Sequence, residues 1–296
     1  MLRLAIMIAA LALAPALQAQ EAGDCENLKW IDKTRCHAEQ GNARAQAVLG
    51  LRYANGQGVP RDYTEAVTWL RKAALQGDAE AQEMLGTLYF IGASVPQDDA
   101  EAVNWYRKAA EQGYAKAQYS LGTMYEHGQG VPQDDAKAVK WFRKAAEQGY
   151  AKAQLSLGFM YESGQGVPQD DAEALKWYRK AAEQGYAGAQ FNLGVMYEYG
   201  HVVSQNYAEA VNWYRKAAEQ GHMHGQNALG HMYADGQGVP QDYVRAHMWF
   251  NLAASRAMAG EDNIFVKNRD SVAEGMTPEQ IAEAQRLVRE WGPREE

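Results

Sequence analysis

The sequence has little cysteine, little proline and no surplus of positive charge, and it lacks a long apolar run after its N-terminus. The chain has only 8 Pro among its 296 residues, and 47% of its residues are hydrophobic. This composition excludes a long disordered chain. Acidic residues outnumber basic ones by 37 to 29, so the net charge of -8 disfavours binding to nucleic-acid phosphates. The composition therefore predicts a folded chain with no nucleic-acid partner and no membrane span.

The first residues have the layout of an export signal. Met1-Leu2-Arg3 precedes an apolar run from Leu4 to Leu17, and small residues surround Ala19. About 14 apolar residues fall short of the roughly 20 that a membrane-spanning helix needs. Cys25 lies too far beyond the run for a lipoprotein signal. We expect residues 1–19 to be a signal peptide, and the mature protein to act in the periplasm or outside the cell.

The two cysteines of the chain, Cys25 and Cys36, are candidates for a disulfide. In one straight helix they would lie about 16 Å apart, so a bond between them requires an intervening turn. Residues 31–34 could supply that turn. The alternative is a pair of free thiols in a frayed terminus, and a redox role is disfavoured because the spacing is not Cys-x-x-Cys.

Aligning the chain on itself at a step of 36 residues reveals six tandem repeats over residues 41–256. Each repeat begins with a predicted helix A, in which Ala, Leu and Tyr recur at spacings of four and form one apolar stripe. A Gly beside the Leu leaves room for a second helix. The recurring Leu-Gly pairs begin at Leu49, Leu85, Leu121, Leu157, Leu193 and Leu229.

A Gly-Gln-Gly-Val-Pro turn is predicted to end helix A, because a left-handed Gly stops the helix and Pro fixes an extended exit. Repeats one, three, four and six carry it. In repeat two Ser94 replaces the second Gly, and repeat five has Val202 there. We expect those two turns to be shaped differently. The motif does not indicate a phosphate loop, since no Lys-Ser/Thr follows it.

Helix B is predicted to start at a capping residue such as Asp62 or Asp170 and to contain a Trp with a structural role. The ends of the array differ from the repeats. Residues 20–40 resemble a partial helix B, which indicates an N-terminal capping segment. Residues 257–296 form a C-terminal capping segment, in which Thr277-Pro278 begins a last helix.

The string Ala-x-Ala-Gln-x-x-Leu-Gly-x-x-Tyr-x-x-Gly-x-Gly-Val-Pro-x-Asp, followed by Ala-x-x-Trp and Ala-Ala-x-Gln-Gly, resembles the Sel-one-like repeat, a relative of the tetratricopeptide repeat. The resemblance covers residues 41–256 and implies an all-α, right-handed superhelical solenoid of antiparallel helix pairs. Most members of the family are adaptors that hold proteins together. Narrower precedents are immunity proteins that neutralise interbacterial phospholipase effectors, and exported members described as penicillin-binding or weak β-lactamase-like proteins.

Positions that vary between repeats while the frame stays fixed are candidates for recognition. One such stripe occupies three positions, four residues apart, on helix A: Ala47, Leu51 and Asn55 in repeat one, and the residues at the same places in the other repeats, such as Glu83 at the first position of repeat two. Helix A lines the concave surface in related helical-repeat proteins. In repeats three to five it gathers aromatic and apolar residues, which mark a binding patch when they are exposed together. The alternative is that the stripe is partly buried between repeats. The candidate partner-binding residues are Tyr119, Leu155, Phe159, Phe191, Val195 and Tyr199.

Catalytic and metal-binding patterns are missing from the sequence. A penicillin-binding enzyme would need Ser-x-x-Lys and Lys-Thr-Gly, and a zinc hydrolase His-Glu-x-x-His, none of which occurs. His222, His224, His231 and His247 cluster in the last repeat, but helix surface is the simpler reading. We therefore expect a non-enzymatic monomer without cofactor or metal, binding an unidentified protein such as a phospholipase effector or a cell-envelope protein.

Overall fold

The computed structural model describes Cys25, residues 29–256 and residues 264–291, and these residues form fifteen α-helices and no strand. The predicted signal peptide lies outside the described residues. The helices fall into two compact units that divide after Asp134. The N-terminal unit contains α1 Trp30–Glu39, α2 Ala43–Asn55, α3 Tyr63–Leu75, α4 Ala79–Ile91, α5 Asp99–Glu111 and α6 Ala115–His127. The C-terminal unit contains α7 Asp135–Glu147, α8 Ala151–Ser163, α9 Asp171–Glu183, α10 Ala187–Tyr199, α11 Tyr207–Glu219, α12 Met223–Asp235, α13 Tyr243–Arg256, α14 Ile264–Ala273 and α15 Pro278–Glu290.

Capping chemistry fixes where these helices start and stop, as the sequence predicts. The Asp170 side chain accepts hydrogen bonds from the amides of Ala172 and Glu173 at the start of α9. Helix A of repeat four ends at Gly164, whose φ of 70° is left-handed. The predicted last helix starts at Thr277 with a complete capping box. None of the helices within the described ranges combines the length and the apolar character needed to cross a bilayer.

The turns at Ser94 and Val202 correct one prediction. Both residues adopt left-handed φ values, 57° and 63°, close to the 66° of Gly166 at the same place in repeat four. The turns therefore keep the shape of the other repeats. The turns keep this shape because they form the same backbone hydrogen bonds. The Ala93 amide donates to the Leu88 carbonyl, as the Gln165 amide donates to the Met160 carbonyl.

Close packing within each repeat depends on the predicted helix-A glycine. A Cβ on Gly158 would lie 2.6 Å from the ring of Tyr178 on α9, so the glycine lets the helix-B ring reach the backbone of helix A. The buried amide of Gln154 joins repeat four to repeat three. Gln184 donates its Nε2 proton to Gln154 Oε1 at 2.7 Å, and Gln154 donates to the Ala146 carbonyl at 3.1 Å. Each buried polar side chain in this chain of bonds therefore has a partner.

Both termini of the array are closed by contacts outside the repeat pattern. Cys25 and Cys36 form a disulfide with Cα atoms 5.7 Å apart, which ties the start of the described chain to α1. At the other end α14 and α15 pack on α13. The Trp291 ring, after α15, meets the buried Trp249 edge-to-face at 4.8 Å. These contacts cover the last repeat.

Candidate functional site

The variable stripe becomes more exposed toward the C-terminal end of each helix A. The last position of the stripe is exposed in all six repeats, whereas the first position is buried or half-buried. In the C-terminal unit, α8 and α10 carry five of the six candidate residues, which we call the C-terminal stripe: Leu155, Phe159, Phe191, Val195 and Tyr199. The sixth, Tyr119, lies half-buried on α6 in the N-terminal unit.

The five residues of the C-terminal stripe divide into packing residues and exposed residues. Leu155 packs against a buried cluster that contains Leu193 of the next helix A. The half-buried Phe191 ring lies 5.8 Å from the Tyr214 ring. Phe159 and Tyr199 are exposed, with 46% and 63% of their surface accessible. Val195 packs against the buried cluster that contains Tyr214. Phe159 and Tyr199 are therefore the exposed members of the C-terminal stripe.

Two glutamates that sequence reasoning missed lie on the same face as this stripe. Glu162 follows Phe159 by three residues and Glu198 follows Val195 by three, which places each pair on one side of a helix. The Tyr178 hydroxyl donates to Glu162 Oε2 at 2.6 Å, and the Tyr214 hydroxyl donates to Glu198. Each carboxylate is thus half-buried and held from beneath by helix B.

The two tyrosines are protonated at neutral pH and act as donors. Burial raises the pKa of Tyr178 and of Tyr214, and the hydrogen bond to a carboxylate raises it further. Each phenol therefore stays neutral and donates its proton to the glutamate beside it. In the part of the chain that the structure describes, neither glutamate has a Lys, Arg or His within ion-pair distance.

The N-terminal unit also has a carboxylate on its part of the stripe, but this one is buried and ion-paired. Glu83, at the first stripe position of α4, is 2% exposed and lies 3.0 Å from Lys116 Nζ. Burial raises the pKa of Glu83, and Lys116 acts against that rise. Thr87 donates its hydroxyl proton to Glu83 Oε1 at 3.3 Å. This carboxylate is neutralised inside the fold, unlike Glu162 and Glu198.

The histidines of the last repeat serve in capping and packing. His222 Nδ1 accepts the Gly225 amide at 3.1 Å and caps α12. The His224 ring meets Phe265 of α14 edge-to-face at 5.6 Å, and the His231 ring meets Phe250 at 4.9 Å. Within the described ranges no three His, Cys, Asp or Glu side chains group as metal ligands would.

Comparisons with known proteins agree with the helix-pair architecture. The family model of the Sel1 repeat matches residues 43–78, 79–114, 115–150, 151–186, 187–222 and 224–257. A Sel1 repeat protein from Oxalobacter formigenes is 38% identical with a TM-score of 0.71, and the match covers 81% of this chain and 69% of that one. None of the curated proteins matches the chain.

Two further solved structures are similar in sequence over most of their length. A protective antigen from uropathogenic Escherichia coli strains, with an SLR fold, is 30% identical with a TM-score of 0.35, and the match covers 88% of this chain and 86% of that one. An immunity protein from Pseudomonas aeruginosa is 23% identical with a TM-score of 0.47, covering 72% and 81%. The solenoid of repeated helix pairs follows from the family model and the Oxalobacter structure.

Proposed function

Because this chain belongs to the Sel1 repeat family, we propose that it is a non-enzymatic protein–protein interaction scaffold that binds a protein partner on its C-terminal stripe. The observation that carries the proposal is the exposure of Phe159 and Tyr199 on a face whose other members are held by packing. Exposed aromatic residues on a rigid support lose little conformational entropy on binding.

We place the protein outside the cytoplasm in this proposal. The Cys25–Cys36 disulfide supports an oxidising compartment, since cytosolic thiols are kept reduced. The disulfide closes a short loop at the start of the array, where it stabilises an incomplete repeat. The proposed scaffold acts as a monomer, and its partner is a protein of the same compartment.

The proposal is tested by affinity capture from a periplasmic extract. The purified chain serves as bait beside the Phe159→Ala/Tyr199→Ala double variant. We expect the variant to recover at least about ten-fold less of the specific partner, because two central aromatic contacts are worth more than 1.4 kcal/mol together.

The matched control removes two exposed apolar side chains away from the stripe. Leu75 is 71% exposed at the end of α3, and Tyr243 is 38% exposed at the start of α13. The Leu75→Ala/Tyr243→Ala variant should capture as much partner as the unmodified chain. Equal capture by all three folded proteins would reject the stripe as the binding surface.

A further inference from the structure

We infer that the segment bound by the C-terminal stripe is cationic, and that its Lys or Arg side chains pair with Glu162 and Glu198 beside the exposed Phe159 and Tyr199. This inference rests on the proposed function and specifies the chemistry of the partner. The two glutamates occupy equivalent places on the A helices of repeats four and five and share the face of the stripe.

Each carboxylate is held in place before any ligand arrives. Tyr178 on α9 and Tyr214 on α11 donate their hydroxyl protons to the two carboxylates. The rings of both tyrosines are buried against the helix-A glycines. One donor satisfies only part of a carboxylate, which accepts about four hydrogen bonds. The remaining lone pairs of Glu162 and Glu198 are therefore available on the stripe side.

The fold leaves this negative charge unneutralised. The lysine on α8, Lys152, precedes Glu162 by ten residues, which places it about 15 Å away along the helix axis. The N-terminal unit shows how the same architecture neutralises a stripe carboxylate, because Lys116 pairs with Glu83. The residue 36 places after Lys152 is Gly188, so repeat five has no equivalent cation.

A cationic side chain satisfies every feature of this surface. A guanidinium or ammonium group donates charge-assisted hydrogen bonds to a half-buried carboxylate. An aromatic face beside the carboxylate attracts the same cation through its quadrupole. An acidic partner would meet repulsion at both positions.

The test is a selection of random 12-residue peptides displayed on phage against the purified chain, followed by fluorescence polarisation with the best peptide. We expect Lys and Arg to be enriched among the selected peptides. Replacing each Arg by citrulline, or each Lys by acetyl-lysine, keeps the shape and removes the charge. This change should weaken binding to the unmodified chain about ten-fold.

Two double variants, each of which removes two negative charges, show whether the preference for a charged peptide depends on Glu162 and Glu198. Glu162→Gln/Glu198→Gln keeps the acceptors for the tyrosine hydroxyls and should make the charged and neutral peptides bind alike. Glu183→Gln/Glu219→Gln removes exposed carboxylates from the ends of α9 and α11 in the same repeats, and should preserve the ten-fold difference.

The inference is overturned by a selection that enriches acidic, purely apolar or no peptides. Equal responses of the two glutamine variants would overturn it as well, because they would assign the effect to net charge alone. If Phe159→Ala/Tyr199→Ala abolishes partner capture while Glu162→Gln/Glu198→Gln leaves it unchanged, the scaffold function stands and the cationic partner is rejected.

Discussion

At the scale of single residues, the glycines of helix A decide how closely the helices pack. A Cβ on Gly194 would lie 2.5 Å from the ring of the buried Tyr214. On the same helix, a Cβ on Gly188 would meet the flexible end of Leu155 at 3.2 Å and the Tyr186 ring at an ordinary contact distance of 3.6 Å. Identical Gly→Ala substitutions on α10 should therefore have different consequences.

We predict that Gly194→Ala lowers the free energy of unfolding by about 1–3 kcal/mol, because the Tyr214 ring must move or leave its rotamer. Gly188→Ala should leave stability unchanged or raise it by up to about 1 kcal/mol, since Ala favours the helix. Urea unfolding followed by circular dichroism measures both. A Gly194→Ala protein as stable as the Gly188→Ala protein would contradict this account of the packing.

The repeated residues could be predicted from the sequence, whereas the carboxylates of the site could not. Ala, Leu and Gly recur every 36 residues because each occupies the same core position, and the structure places Leu157 and Leu193 fully inside. Glu162 and Glu198 were not predicted because they lie between the three positions of the stripe, which are four residues apart. Their tyrosine partners lie 16 residues later, on helix B. The available signal was Tyr-Glu in repeats three to five only.

At the scale of the element, the turn after helix A imposes its shape on the residue it contains. The His201 amide donates to Met196 at 3.0 Å, and the Asn206 amide donates to Tyr197 at 2.8 Å. Equivalent bonds occur in the other turns. The sequence predicted a different turn at Val202, because a β-branched residue disfavours a positive φ. The backbone hydrogen bonds of the turn outweigh that preference.

The strain at Val202 leads to a stability prediction. A β-branched residue with φ of 63° costs about 1–3 kcal/mol, and Gly recovers this at an entropic cost of about 0.5–1 kcal/mol. Val202→Gly should therefore raise the free energy of unfolding by about 1 kcal/mol. Val203→Gly is the control, because Val203 is half-buried and has no left-handed φ, so this change should destabilise. Thermal unfolding of both proteins decides, and a less stable Val202→Gly would contradict the assignment of strain.

At the scale of the whole molecule, the ends of a solenoid need closure, because a terminal repeat has a neighbour on one side only. The period of 36 predicted the interior of the array, and Thr277-Pro278 predicted α15. Helix α14 was not predicted, since its position depends on tertiary contacts. Asn268 donates to Asn227 Oδ1 at 2.8 Å, and Phe265 packs on His224. Such contacts have no periodic signature in the sequence.

The closing helix α14 faces a buried histidine, which should make the C-terminal unit sensitive to acid. His247 on α13 is 4% exposed, and its Nδ1 atom has no hydrogen-bond partner among the described residues. Burial lowers the pKa of His247 below its ordinary value of 6.5, and the nearby Arg269 lowers it further, while Asp270 acts in the opposite direction. Burial also lowers the pKa of His222.

The sign of the pH dependence follows from proton uptake. Below about pH 6.5 the unfolded chain protonates these histidines more readily than the folded one, so stability present at neutral pH is lost as the pH falls. We expect the urea midpoint to drop between pH 7.5 and pH 5.5, and to drop less in His247→Gln, which cannot take up the proton. His201→Gln removes an exposed imidazole and should retain the full decrease. If His247→Gln loses as much stability as the unmodified chain, the buried imidazole is not the group that couples folding to pH.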